Sequence, residues 1–389
     1  MPHRLIGILL AVAMLALGGC ISANTVSKLI VEPPNGGHPK PYPGSIGKLA
    51  RTLYTQQFKV TVGPPPATLS AAIIAPRNYG FSATDKPKGN AGLRSTQWRF
   101  ANAPQSALKH DTISEAGLLM RIRRNLRKLP YCTPTGTVII LPGWSIAKEF
   151  RLGYALDFAN HGYRVVLVDL RGQGDSSGRY VSFGLIEHED ITQLITALEA
   201  RGLIAGKLAL FGISEGAVIA LDTAAEDPRV DAVIAVAPFT SFTTAIRGVG
   251  NDFLPLLSDL ISRQKLKQGL KLADKRTGLN LAASDPRQRV AHIRAPVLYI
   301  AGGDDNIAPP NGVKSLAAAT PHARYIELAR YTHLDLAFAT GRVAPLALQA
   351  LHNTLGKSTD SSCLHGPLNA SKQERYGFTV TLQYKLGKQ

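Results

Sequence analysis

The stretch Leu208-Ala209-Leu210-Phe211-Gly212-Ile213-Ser214-Glu215-Gly216-Ala217-Val218-Ile219-Ala220 decides the fold. Leu208 to Phe211 is an apolar run without alternation, which reads as a buried strand, and Ala217 to Ala220 opens a helix. Ser214 therefore falls on a sharp strand-to-helix turn. Such a turn explains the flanking glycines: it forces Ser214 into strained backbone angles and brings strand and helix so close that side chains at 212 and 216 would clash. The hydroxyl then stands exposed at the C-terminal edge of a sheet.

Outward from this turn the chain is regular. Thr137-Val138-Ile139-Ile140-Leu141 is a buried strand, Glu149 to Asn160 a helix, and Tyr163 to Val168 a second buried strand. Leu185 to Ala200 is an amphipathic helix and Lys207 to Phe211 feeds Ser214. Val233-Ile234-Ala235-Val236, Val297-Leu298-Tyr299-Ile300 and Tyr325-Ile326-Glu327-Leu328 complete the series. Continuous apolar runs separated by helices mean parallel strands covered on both faces, a doubly wound α/β architecture with a mostly parallel sheet. The long connection from Pro238 to Pro296, with helical spacing at 254–270, reads as a small helical cap over about 239–295.

Upstream, Phe58 to Val62 and Leu69 to Ala75 read as two strands around the Gly63-Pro64-Pro65-Pro66 turn. Residues 77–109 show no periodicity and read as an irregular insertion. The expected organisation is a 1–19 signal, a 20–47 tether rich in proline and glycine, 48–130 with strands and insertion, a 131–355 core, and a 356–389 tail. Phe378 to Tyr384 alternates like a strand; it suits an edge added to the N-terminal strands, or strand addition to a partner. Arg121 to Lys128 reads as a strand with one wet basic face.

Chain order supplies the rest of a catalytic set. The strand at Tyr299 leads into Gly302-Gly303-Asp304-Asp305-Asn306-Ile307-Ala308-Pro309, and the strand at Tyr325 leads into Ala329-Arg330-Tyr331-Thr332-His333. A serine hydroxyl is a poor nucleophile until a base takes its proton, and a carboxylate fixes the tautomer of an imidazole base and stabilises its cation. Hence Ser214, His333 and Asp305 are the candidate nucleophile, base and acid. Asp304 could also reach the ring, but Gly-x-x-Asp-x-Ile-x-Pro selects Asp305. Asp335 reads as structural. The oxyanion donors are assigned to the backbone N–H groups of Glu215 and Trp144, with Trp144 alternatively a pocket wall.

These residues make the chain resemble the α/β-hydrolase-fold serine hydrolases over roughly 115–355, with Ser214 on the nucleophile elbow. Asp169-Leu170-Arg171-Gly172-Gln173-Gly174-Asp175-Ser176 resembles that family's D-x-R-G-x-G-x-S turn. Gly184-x-x-Glu187-x-x-Asp190 and Ser284-Asp285-Pro286 are similar to its prolyl-oligopeptidase-like and esterase-like branch. Where the family often has His-Gly, this chain has Pro142-Gly143. The resemblance implies a hydrolase acting on a small-molecule acyl substrate, on an ester or alternatively as a peptidase or acyltransferase, with no cofactor. His188-Glu189-Asp190 is not a metal-binding H-E-x-x-H and reads as solvent-facing helix, and no dinucleotide or phosphate loop occurs. A non-catalytic binding lipoprotein on the same fold is the reading from another class.

His3 and Arg4 precede an apolar run from Leu5 to Leu17, the plan of a secretory signal too short for a confident membrane span. Leu17-Gly18-Gly19-Cys20 resembles the lipobox of bacterial lipoproteins. It implies lipidation of Cys20, removal of the preceding peptide, and, with Ile21 next, an outer-membrane location facing the periplasm. Cys132 and Cys363 remain, either paired or as separate thiols. The formal charge of +17 falls to +16 once Arg4 is removed, which suits anionic lipid or envelope polymer. Nucleic acid is not expected as a partner: the basic run carries no interleaved aromatics and no reading motif, and export removes most such partners.

Overall fold

The computed structural model describes residues 22–32, 44–88, 93–100, 130–253, 263–360 and 378–383. The 1–19 signal, Cys20, Cys363 and the 121–128 run lie outside these residues, as does the 33–43 part of the tether. The elements in chain order are α1 (Ala23–Val31), α2 (Gly44–Leu53), β1 (Gln56–Val62), β2 (Ala67–Ile74), β3 (Phe81–Lys88), β4 (Leu93–Phe100) and β5 (Gly136–Leu141). A short 3-10 turn, Lys148–Arg151, leads into α3 (Leu152–Asn160), then β6 (Tyr163–Val168), α4 (Glu187–Glu199), β7 (Lys207–Ile213), α5 (Glu215–Glu226) and β8 (Val230–Val236). Then come α6 (Phe242–Phe253), α7 (Arg263–Thr277), β9 (Val297–Gly302), α8 (Pro310–Ala319), β10 (Ala323–Leu328), α9 (His333–Phe338), α10 (Thr340–Leu355) and β11 (Phe378–Gln383).

Eight strands form one sheet in the order β1-β2-β6-β5-β7-β8-β9-β10. β1 and β2 are antiparallel to their neighbours and the other six strands run parallel, so the expected doubly wound, mostly parallel sheet is found. The unbroken apolar runs are the reason. Every residue of β5 and β9 is buried, because helices pack on both faces of the sheet, α3 and α10 on one and α5 and α8 on the other. Parallel strands also place all their C-terminal ends at one edge, where the loops after β5, β7, β9 and β10 meet.

Two expectations are corrected. The stretch 77–109 is not irregular throughout: β3 and β4 form an antiparallel hairpin, and β11 joins β4 to make a second, three-stranded sheet. Lys86, Pro87 and Lys88 at the hairpin's tip hid the alternation. This small sheet packs on the main body through Trp98, whose ring would stand 2.7 Å from a Cβ on Gly153. The tether is not extended from residue 20 to 47 either. Ser22 caps α1 by accepting the Thr25 N–H at 3.1 Å, and Val26, Ile30 and Val31 are buried against the body.

The cap region contains α6 and α7, with 254–262 between them outside the described residues. Cys132 is buried and disulfide-bonded. Its partner lies outside the described residues, but Asp360 Oδ2 accepts the Thr133 N–H at 2.8 Å, which brings the tail alongside this segment three residues before Cys363.

Candidate active site

The Ser214 turn is as tight as its glycines require. Ser214 takes φ 57° and ψ −118°, a strained region for a residue with a Cβ, costing about 1–3 kcal/mol. Its N–H donates to Val236 O at 2.8 Å on the adjacent strand, which pins the turn to the sheet. A Cβ at Gly212 would stand 2.2 Å from Gly216 O, and one at Gly216 would stand 2.2 Å from Leu141 O. Neither position admits a side chain. The serine side chain is left partly exposed on the C-terminal edge of the sheet.

His333 begins α9, placed by a capping box in which Thr332 accepts from Asp335 N–H and Asp335 accepts from Thr332 N–H. This accounts for Asp335 as a structural residue. His333 Nε2 stands 2.8 Å from Ser214 Oγ, and Nδ1 stands 2.8 Å from Asp305 Oδ2. A carboxylate only accepts, so Nδ1 carries the proton and Nε2 is free to accept from the serine hydroxyl. Asp305 is itself held: its Oδ1 accepts the N–H groups of Ile307 at 2.9 Å and Ala308 at 2.8 Å. Asp304 is exposed on the same turn, and its N–H donates to Tyr331 O. The geometry thus joins Ser214, His333 and Asp305 and leaves Asp304 outside.

The loop after β5 runs beside the serine. A Cβ on Gly143 would meet Ser214 Cβ at 3.3 Å and its Oγ at 3.9 Å. Trp144 follows, its indole Nε1 donating to Ile30 O of α1 at 3.2 Å. Glu215 N–H lies in the first turn of α5, where a helix has no intrahelical acceptor for it and its dipole favours negative charge. An oxyanion formed at Ser214 is thus flanked by these two segments.

Sequence reasoning missed what holds this loop. Lys148 is buried: its backbone N–H donates to Asp169 Oδ1 at 2.8 Å and its Nζ to Oδ2 at 2.6 Å. Glu149 and Asp175 are each 3.3 Å from the same ammonium. Burial opposes the charge, but the three carboxylates outweigh it and hold the Lys148 pKa above its ordinary value. Asp169 thereby links the loop to the Asp169–Ser176 turn, where Arg171 makes a two-pronged ion pair with Asp190 at 2.8 and 2.6 Å. Hence His188 and Asp190 are buried, not solvent-facing, and only Glu189 is exposed.

Glu215 is a second missed feature. Its side chain is fully buried and accepts from Gln173 Nε2 at 2.8 Å. Burial, reinforced by the charge of Glu187, pushes its carboxyl well above the usual carboxylate range. A full negative charge one residue after Ser214 would oppose any developing oxyanion.

Comparison with known proteins agrees with the topology. A family model described as serine aminopeptidase, S33, matches residues 133–286, less than half of the chain. The strand order around an elbow serine, with an acid after β9 and a histidine after β10, decides the architecture. The chain has the α/β-hydrolase fold. An uncharacterized protein of Mycobacterium tuberculosis is 28% identical over 207 residues, covering 53% of this chain and 66% of its own. The alpha/beta hydrolase domain-containing protein WAV2 of Arabidopsis thaliana is 30% identical over 188 residues, covering 46% of this chain and 57% of its own. This chain thus spans 57–66% of the length of these curated relatives. Among solved structures, the Pyrococcus furiosus esterase Pf2001 aligns with a TM-score of 0.47 and 14% identity, over 72% of this chain and 92% of that one. Among the described residues no group of acidic, histidine and cysteine side chains is arranged to hold a metal ion on this α/β-hydrolase fold.

Proposed function

We propose that this protein is a serine hydrolase that cleaves carboxylic esters through an acyl-enzyme, anchored to the bacterial cell envelope by lipid on Cys20. One observation carries the catalytic part: the unbroken line Ser214 Oγ, His333 Nε2, His333 Nδ1, Asp305 Oδ2 at hydrogen-bond distance, on a serine with φ 57°. His333 takes the hydroxyl proton as Ser214 attacks the carbonyl carbon, while Asp305 steadies the imidazolium. The oxyanion is met by the Trp144 and Glu215 N–H groups. Collapse expels the alcohol, protonated by His333, and water repeats the sequence to release the acid.

The matched family's description favours a second reading, an aminopeptidase. Such an enzyme needs a carboxylate at the mouth of the site for the substrate's free amine. In the loops that carry the triad, Asp305 is committed to His333, Asp335 to the cap of α9, and Glu215 is buried against Gln173. Only the exposed Asp304 is left, which makes the ester reading the better supported. The export signal and the lipobox support an envelope location, with the outer membrane favoured by Ile21.

A fluorophosphonate probe tests the nucleophile. Wild-type protein is expected to label, and Ser214→Ala and His333→Ala to lose labelling. A folded wild-type protein that stays unlabelled overturns the reading in favour of a binding lipoprotein. Parallel assays with short-chain esters and aminoacyl amides then separate the two activities.

A further inference from the structure

Helix α7 carries six basic residues, Arg263, Lys265, Lys267, Lys271, Lys275 and Arg276, against one acid, Asp274. The helical period sorts them. Gly269 and Ala273 are buried and Leu266 and Leu270 partly so, whereas Lys267, Lys271 and Lys275 recur every four residues and are exposed in one row. Asp274 does not neutralise the row: half-buried, it accepts the Leu281 N–H. Arg276 is turned the other way, to Asn24 and Glu32 of the N-terminal segment.

The same helix fixes where the preceding chain meets the body. A Cβ on Gly269 would stand 2.6 Å from Val26 Cγ1 and 3.3 Å from Ala23 O, so the first turn of α1 sits on the middle of α7. Cys20 is three residues before Ala23, a reach of at most roughly 10 Å. Lys267 and Lys271 lie two residues either side of Gly269, about 3 Å along the helix axis. At 100° per residue the lysines lie on the opposite side of α7 from Gly269, so the chain's approach and the lysine row share one level of the helix but stand one helix width, roughly 10 Å, apart, which the three residues before Ala23 can span.

We propose that the α1–α7 pair seats the protein on a membrane, with Lys267, Lys271 and Lys275 lying on the headgroups of an anionic bilayer. The position of the anchor rests on the lipidation reading above, whereas the lysine row stands on the geometry of α7. A surface is favoured over a soluble polyanion because the row is exposed on the outer face of α7, within the reach of the chain that leads from α1 to the lipid. At its far end α1 receives the Trp144 indole on Ile30 O and the Val181 N–H on Val31 O. Nine helical residues, about 13 Å, separate the loop beside Ser214 from the anchor side. The site is thus held close to the lipid surface, where amphiphilic acyl substrates concentrate.

The test uses the full chain, expressed with its own N-terminus, purified from membranes in detergent, and returned to nanodiscs. The discs are of phosphatidylcholine alone or mixed equally with phosphatidylglycerol. Lysine acetylation is followed residue by residue by mass spectrometry, with Lys207 and Lys357, exposed at the opposite end of the sheet, as references. Acetylation of Lys267, Lys271 and Lys275 is expected to slow on the order of tenfold in the anionic discs only, and to recover in high salt. Labelling at the detergent rate in anionic discs, or equal protection in both kinds, overturns the proposal. The mass of the peptide bearing Cys20 is read from the same sample. Protected lysines beside an unmodified Cys20 uphold the seating surface and sink the anchor; a lipidated Cys20 beside freely labelled lysines does the reverse.

Discussion

Replacing Asp305 by asparagine should disable the base while leaving the fold intact. The reason lies in its two sides. Oδ1 accepts two backbone N–H groups, from Ile307 and Ala308, and Oδ2 faces His333 Nδ1. An asparagine must turn its oxygen toward the two N–H donors, since the opposite flip would set an NH2 group against both. Its NH2 then points at His333 Nδ1, which must accept, so the ring proton moves to Nε2 and faces Ser214 Oγ as a donor. The base is gone with hardly an atom displaced. A wrong-tautomer change of this kind lowers kcat about 10⁴-fold in the serine-protease triad, equivalent to about 5 kcal/mol of barrier. Initial rates on a p-nitrophenyl ester, with active-site titration and a thermal melt of each variant, provide the assay. Asp304→Asn, exposed and outside the relay, should stay within about twofold of wild type. If Asp305→Asn retained a tenth of wild-type kcat, the assignment of Asp305 and the tautomer argument would both fall.

Further expectations follow from other features. Gly216→Ala places a methyl 2.2 Å from Leu141 O and 2.5 Å from Pro142 O, pushing away the loop beside Ser214; kcat should drop on the order of a hundredfold, and an unchanged rate would mean that this loop supplies no oxyanion donor. Lys148→Met strands Asp169 without its ammonium, and urea unfolding should show a loss of about 3–5 kcal/mol. A loss under about 1 kcal/mol would show that the pair is not what secures the loop. Burial pushes the Asp222 carboxyl up to about 7, so the native state holds its proton where the unfolded chain has released it. That group therefore costs stability progressively from about pH 4 to pH 7, by up to about 4 kcal/mol. Asp222→Asn should be markedly more stable than wild type at pH 8 and equal to it near pH 4; a gain independent of pH would contradict the burial effect.

The central sheet was legible because its signal is local and repeated: apolar runs such as Val138–Leu141 have no reading other than burial on both faces. The elbow was legible through Gly212 and Gly216, and the relay through the order in which Asp305 and His333 follow their strands. What stayed hidden depends on contacts that no window of sequence contains. Lys148 and Glu149 look like any charged helix start until Asp169, twenty-one residues on, is folded beneath them. Helix α1 is nine residues long, too short to persist alone, and is stabilised by α7 some 240 positions away. Its own cue, Ser22 ahead of Val26 and Ile30, was masked by the prolines that follow. In β3 and β4, Thr, Lys, Pro and Arg outnumber apolar residues, so only Phe81 and Trp98 signal a buried side.

The pairing of β11 with β4 sets a constraint in time. Phe378 faces Phe100 across 278 positions of chain, so the small sheet lacks its third strand until almost all of the polypeptide is available. Closing so long a loop adds little free energy for its length, because the cost grows only logarithmically, but it cannot occur early. Until then β4 presents a row of unpaired backbone groups, the kind of edge that recruits foreign strands. A chain cut before Phe378 is therefore expected to keep its large sheet and to aggregate through β4.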